Sequence, residues 1–325
     1  TGAPFFIFPL YSEGSGWYNR DMKKIFLLGS LNADLTIRAP YLPQAGETLK
    51  GSDFMLTAGG KGANQAYACA NLGGRVRMAG CVGNDPFGDM LLKSLQGVGA
   101  DVSCVRRTAR NTGVAVITVV DGDNRIILDE GANGEVTVSD AEALLSDAQA
   151  SDIFMTQLEN PLPVVEAALA LAKEKGLFTL FNPAPAKEAA RSCVKYADLI
   201  TPNETELRIL SGKEGIEEGC AELLNMGAGA VLATLGKEGS LCYGKTGAEK
   251  IGIVDAGKAV DTTAAGDTYC GALAVKLAEG ASVTEAARFA SLCSGITVTR
   301  RGAQVSIPTR AEAEEMRKTL SRRGI

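Results

Sequence analysis

From Lys24 onward, short apolar runs alternate with helix-like stretches, and that alternation leaves the chain few folds to choose from. "KIFLLGS" and "RVRMAGCVG" read as strands, with "NQAYACANLG" between them as a helix ended by Gly. "DPFGDMLLKSLQGVG" is helical again, and "DIFMTQ", "LFTLFN", "ADLIT" and "AVLATLG" are later strands. Helix starts are signalled by Ser139 with Glu142 and by Asn203 with Glu206, where cap oxygen and carboxylate satisfy orphan amides reciprocally. Such a rhythm predicts an α/β fold with a mostly parallel sheet covered by helices on both faces.

Two segments break the rhythm. "GETLKGSDFMLTAGG" (Gly46–Gly60) and "TGVAVITVVDGDNRIILDEGAN" (Thr112–Asn133) are strand-rich without crossover helices. The second reads as a hairpin around Asp121-Gly122-Asp123-Asn124. Together they predict a small β lid, built from about residues 34–58 and 111–132, on a single domain spanning 22–325.

Composition narrows the partners. With 46% hydrophobic residues in 325, the chain can bury a sizeable core. Net charge is -5 and no Lys/Arg block appears, so nucleic acid is excluded as the expected partner. No apolar run approaches the roughly 18 residues of a membrane span. Residues 1–21 carry a short apolar core, Phe5 to Leu10, interrupted by Pro9, with no basic region before it. That is not a signal peptide, and the segment, which holds the only tryptophan, Trp17, reads as an expression tag. Eight cysteines are scattered without any Cys-x-x-Cys, which fits reduced thiols in the cytoplasm. There is no histidine, so Ser-His-Asp and Cys-His catalysis are excluded and any general base is Asp, Glu, Lys, Tyr or Cys.

Two decoys fall away. "GSLCYGKT" (Gly239 to Thr246) matches the phosphate-loop pattern, but its neighbours are strand-like and its Gly-Lys-Thr-Gly reads as a hairpin turn. Four Gly-x-Gly pairs occur, at 14/16, 60/62, 97/99 and 227/229, and none has Gly three residues later. The dinucleotide fingerprint is therefore absent.

The chemistry concentrates in "DTTAAGDTY" (Asp261 to Tyr269), which opens a helix expected to run from Ala264 to Gly280. Ala264, Ala265 and Gly266 offer amides with little side-chain obstruction, and a helix start favours negative charge. Asp267 in the first turn is also a good cap, but a cap does not need the small residues before it.

"DTTAAGDTY" resembles the signature of the ribokinase family of carbohydrate kinases. So do "GSLNAD", "GGKGANQA", "QLE", "NPAPA", "PNETE" and "TLGKEGS", in the family's order, with "TRRGAQVSIP" at the end. The resemblance runs from about Lys24 to Pro308 and implies a three-layer sandwich with a β lid and ATP-dependent phosphorylation of a sugar's primary hydroxyl, ribose first. In the family, Asp267 is the base and Ala264, Ala265 and Gly266 form the anion hole for the transferring phosphoryl group. The sugar contacts map onto Asn32, Asp34, Gly60, Lys61, Asn64 and Glu159. Amides and carboxylates suit vicinal hydroxyls, each of which donates and accepts. ATP maps onto Asn203, the loop Thr234, Leu235, Gly236, Lys237, Glu238 and Gly239, and Ser291, which stands where some members have histidine. Mg2+ would bridge the ATP phosphates.

Asp261 has two readings. It could form a turn by bonding the backbone of Thr262 or Thr263. The resemblance implies instead a K+ site made by Asp261, the carbonyls of Thr263, Thr297, Arg300 and Gly302, and the Ser306 hydroxyl. The lid's exposed sheet face and edges would invite aggregation, so two lids are expected to pair in a homodimer. Asp129 and Glu130 beside the lid hinge could favour deoxyribose or another small polyol instead. A non-catalytic sugar-binding regulator should have lost Asp267, and a nicotinamide oxidoreductase should carry the missing glycine fingerprint.

Overall fold

A computed structural model describes residues 22–121 and 123–322; residues 1–21, including Trp17, lie outside the described residues. The strands are β1 Lys24–Leu28, β2 Asn32–Arg38, β3 Ser52–Gly59, β4 Arg75–Gly83, β5 Asp101–Thr108, β6 Gly113–Val120 and β7 Asp123–Asp129. They continue with β8 Ile153–Thr156, β9 Phe178–Phe181, β10 Leu199–Ile200, β11 Ala230–Thr234, β12 Ser240–Gly244 and β13 Gly247–Ile251. The helices are α1 Lys61–Asn71, α2 Pro86–Gly97, α3 Val138–Leu144, α4 Leu162–Glu174 and α5 Glu204–Ser211. After them come α6 Ile216–Asn225, α7 Ala265–Ala278, α8 Val283–Thr297 and α9 Arg310–Arg322.

Nine strands form the main sheet in the order β13-β12-β11-β10-β9-β8-β1-β4-β5. It is parallel from β11 to β5, with β12 and β13 antiparallel at one edge. Because side chains alternate across a strand, the unbroken apolar run of β1 feeds two cores at once. Ile25 and Leu27 pack with α1, α2, α7, α8 and α9; Phe26 and Leu28 pack with α3, α4, α5 and α6. Each such side chain contributes about 1.5–3 kcal/mol of burial.

α7 is apolar on nearly every side and lies against α1. Gly271 makes the approach possible: a Cβ there would sit 2.5 Å from the Ala68 Cβ and 2.9 Å from the Gln65 carbonyl.

The lid is a separate four-stranded sheet, β3-β2-β6-β7. It is longer than its sequence suggests, since β2 begins at Asn32 and β3 ends at Gly59, while Gly46–Gly51 form no strand. Asp34 lies inside β2. Val120 pairs with Asp123, so Asp123 and Asn124 belong to β7 and the hairpin connection is two residues long. "GKTG" is a hairpin turn as expected, with Gly244 opposite Gly247.

One helix start moves. α3 is capped by Thr137, whose backbone N–H donates to Asp140 at 2.8 Å, so Ser139 already sits in the first turn. Asn203 and Glu206 form the expected reciprocal cap of α5. α7 begins at Ala265, one residue later than expected, with Ala264 as its cap.

Candidate active site

Ala264 takes a left-handed conformation, φ 59°, a rare and costly one for a residue with a Cβ. It turns the chain into α7 with the first amides open. The Ala265 N–H is taken by the Thr262 carbonyl at 3.2 Å. The N–H groups of Ala264, Gly266 and Asp267 have no acceptor among the described residues. The open donors of the expected anion hole are therefore shifted: Ala265 leaves the set and Asp267 joins it through its backbone.

The Asp267 side chain is buried and held by two amides. Asn64 Nδ2 donates to Oδ2 and Gln65 Nε2 donates to Oδ1, both at 3.0 Å. Asn64 and Gln65 are neighbours on α1, whose start is shaped by "GGKGAN". Gly60 has φ 88° and passes so close to β2 that a Cβ would meet the Asn32 N at 2.7 Å. At Gly59 a Cβ would fall 2.0 Å from Asp34 Oδ2, so this glycine leaves room for that carboxylate.

Glu159, just beyond β8, reaches the start of α1. Its Oε2 accepts from the Lys61 N–H at 3.0 Å and the Ser30 hydroxyl at 2.6 Å. Its Oε1 has no partner among the described residues. Asn64 Oδ1 is buried without a partner. Asn32 Oδ1 accepts from Asn133 Nδ2 at 2.7 Å, and Asn133 also bonds both backbone groups of Leu31, joining the lid hinge to β2. Free oxygens beside Asp267 suit a ligand that brings hydroxyl donors.

Asp34 faces the same place from the lid. Burial first, then the negative charges of Glu159 and Asp267, push its carboxyl up to about 7. Lys61 answers them: burial alone would pull its ammonium down, but Asp267, Glu159 and Glu206 raise it.

On the other side of Asp267 opens a cavity of about 770 Å³. Lys61, Asn203, Thr234, Gly236, Lys237, Gly239, Gly266 and Ser291 line it, so both ends of the predicted nucleotide set meet there. Leu235 packs into the core instead, and Glu238 pairs with Lys250 at 3.6 Å; neither lines the cavity. Ile253, Val254 and Val298 supply an apolar wall suited to a flat base. Lys61, expected with the sugar, borders both regions.

Asp261 does form a turn: Oδ1 accepts from the Thr263 N–H and hydroxyl at 2.9 and 2.6 Å. Its Oδ2 accepts from the Gly302 N–H at 3.0 Å, bringing the two loops of the predicted cation site together. Burial would push this carboxyl up, but those bonds hold it below the usual carboxylate range. The Thr297 carbonyl is already taken by the Arg300 N–H, and the Ser306 hydroxyl donates to Ala303.

Sequence reasoning missed Gln65, Ser30, Asn133 and the cavity-lining role of Glu206. Glu206 was visible only as a cap; burial raises its carboxyl. Gln65 carried no distinguishing signal, because α1 also holds the polar residues Lys61, Asn64 and Asn71.

The profile of the pfkB family of carbohydrate kinases matches residues 22–310. A ribokinase of Schizosaccharomyces pombe is 40% identical over 309 residues, spanning 90% of this chain and 97% of that one. A ribokinase of Haemophilus influenzae is 39% identical over 303 residues, spanning 90% and 98%. An Arabidopsis thaliana ribokinase solved with ribose and ATP superposes with a TM-score of 0.83 at 31% identity, covering 91% of this chain and 98% of that one.

Proposed function

The chain belongs to the pfkB family of carbohydrate kinases, and from that premise we propose that it transfers the γ-phosphoryl group of ATP to the primary hydroxyl of ribose, giving ribose 5-phosphate. One observation carries this reading: a buried carboxylate, Asp267, stands between a cluster of hydroxyl-binding groups and a nucleotide-sized cavity, at a helix start with open amides. The ribose hydroxyl gives its proton to Asp267 as its oxygen bonds to the γ-phosphorus, and the bond to the ADP oxygen breaks. The amides of Ala264, Gly266 and Asp267 and the Lys61 ammonium meet the charge on the phosphoryl oxygens. Among the described residues no cluster of three or more acidic or thiol groups could hold a metal alone. Mg2+ typically binds substrate phosphates plus one or two carboxylates, and Glu206, which lines the cavity, suits that part. Bound there, Mg2+ would neutralise phosphate charge.

An ATP-consumption screen over pentoses, deoxypentoses, ketohexoses and nucleosides should give ribose the highest kcat/KM. A clearly better acceptor would overturn the choice of sugar.

The Asp261–Gly302 junction carries the proposed K+ site. A large, weakly hydrated cation held by Asp261, backbone carbonyls of Thr263, Arg300 and Gly302, and Ser306 would order the turn before α7. Thr297 could contribute only by sharing its carbonyl with Arg300. Activity should be higher in K+ than in Na+ or a bulky organic cation at equal ionic strength, and Asp261→Ala should erase the difference. Equal rates in all three salts, after K+ is stripped, would leave Asp261 as a turn former.

The lid's far face lines up Leu35, Leu56, Val116 and Ile127 in register, with Ile127 76% exposed. Open apolar sheet invites pairing, and a second copy of this lid is the partner of matching shape and chemistry. Light scattering should show a dimer that Ile127→Asp dissociates; a stable, active parent monomer at assay concentration would sink the idea. Such a kinase would work in the cytoplasm, where its eight free thiols stay reduced.

A further inference from the structure

Three motifs each place one buried amide beneath Asp267: Gln65 in "GGKGANQA", Gln157 in "QLE" and Asn182 in "NPAPA". The sugar and nucleotide contacts proposed above use none of the three. Their hydrogen bonds form one chain whose direction is set at its far end. The Thr201 carbonyl can only accept, so Asn182 turns its NH2 to it, at 2.9 Å. That leaves Asn182 Oδ1 facing Gln65, whose Nε2 donates to it at 3.0 Å. Gln157 Nε2 donates to Gln65 Oε1 at 2.5 Å and fixes the same orientation from the other side. Gln65 therefore presents N–H, not C=O, to Asp267 Oδ1 at 3.0 Å.

We propose that Gln65 is a positioning residue for phosphoryl transfer, its amide locked by Gln157 and Asn182 so that it holds the Asp267 carboxylate in its reactive rotamer. A second observation supports this. Gln157 Oε1 is buried without a partner, packed where a Cβ on Gly29 would lie 2.5 Å away. Orphaned buried acceptors are uncommon and costly, and this one is left over once Gln157 has aimed its NH2 at Gln65. A flipped Gln65 would set its carbonyl oxygen against the carboxylate, and the base would swing away. The close packing at Gly271 brings Gln65 within reach, one turn before Ala68 on α1.

This rests on Asp267 being the base, and the test separates the two ideas. Gln65→Met keeps the volume and removes the amide. It should lower kcat about 10- to 100-fold, the scale of a misplaced catalytic group, with KM for ribose and ATP within about threefold. Gln157→Met alone should lower kcat severalfold, yet add nothing further on top of Gln65→Met, because the lock has no amide left to hold. Thermal unfolding checks that each variant is folded. Should Gln65→Met fail to fold, Gln157→Met decides alone, through the same split between kcat and KM. Near-wild-type kcat in the folded variants, or costs that add in the double variant, would overturn the proposal. If Asp267→Asn itself keeps full activity, the fault lies with the base assignment.

Discussion

Asp267→Asn is expected to lower kcat by about 10²-fold or more while leaving binding of sugar and ATP nearly intact. The carboxylate matters most when the hydroxyl proton leaves, which happens in the transition state rather than in the ground-state complex. The geometry adds a second effect. Both oxygens of Asp267 accept from amide NH2 groups, Asn64 on one and Gln65 on the other. An asparagine has one oxygen and one NH2, so either orientation sets two donors against each other. That conflict costs about 1–3 kcal/mol of stability. A folded Asp267→Asn protein with near-wild-type kcat would reduce Asp267 to a helix cap and remove the mechanism.

Asp34→Ala is expected to raise the sugar KM about 10²-fold with a smaller change in kcat, since two hydrogen bonds to a carboxylate are worth about 1.5–3 kcal/mol each and one is partly replaced by water. The same residue gives the reaction a pH signature. Burial, then Glu159 and Asp267, push the Asp34 carboxyl up to about 7, so it is neutral below that pH and ionised above it. The ionised form accepts from two hydroxyls; in the acid form one oxygen carries the proton and no longer accepts as well. Sugar KM should therefore rise as pH falls from 8 to 6, by up to about tenfold per pH unit below the shifted value, and Asp34→Asn should flatten that limb. The linkage has a stability side. In the unfolded chain Asp34 ionises near its ordinary value, so its contribution to sugar-free stability is present below about pH 4 and lost as pH rises towards 7. A pH-independent sugar KM between 6 and 8 would show that Asp34 does not touch the sugar.

The parts of the site that lie within one stretch of chain are legible in the sequence alone. The bare turn and Asp267 announce an anion-binding helix start because both features are local, and Asn203 with Glu206 is a local signature too. What escaped depends on packing between distant elements. Gln65 looks like any polar residue in a helix until Gly271 lets α7 settle against α1. The early start of β2 at Asn32 is hidden because only Gly29–Leu31 separate it from β1, too few to reveal that the chain changes sheets. Thr137 displaces Ser139 as a cap because two overlapping capping pairs, Thr137 with Asp140 and Ser139 with Glu142, stand two residues apart, and the helix starts from the first. Leu235 and Glu238 interleave with Thr234, Gly236, Lys237 and Gly239, which line the cavity, but one is turned to the core and the other to Lys250.

The partners of Asp267 stand far away along the chain: Asn64 lies 203 positions before it and Gln65 lies 202. Contacts of such long sequence separation meet their loop-closure entropy late in folding. During synthesis, α1 emerges early, and the face it packs against α7 stays uncovered until α7 arrives. Catalytic competence is thus a property of the finished topology and of no fragment. Recovery of turnover during refolding should trail the recovery of helical signal, because the first reports the docking of α7 on α1 and the second only local structure.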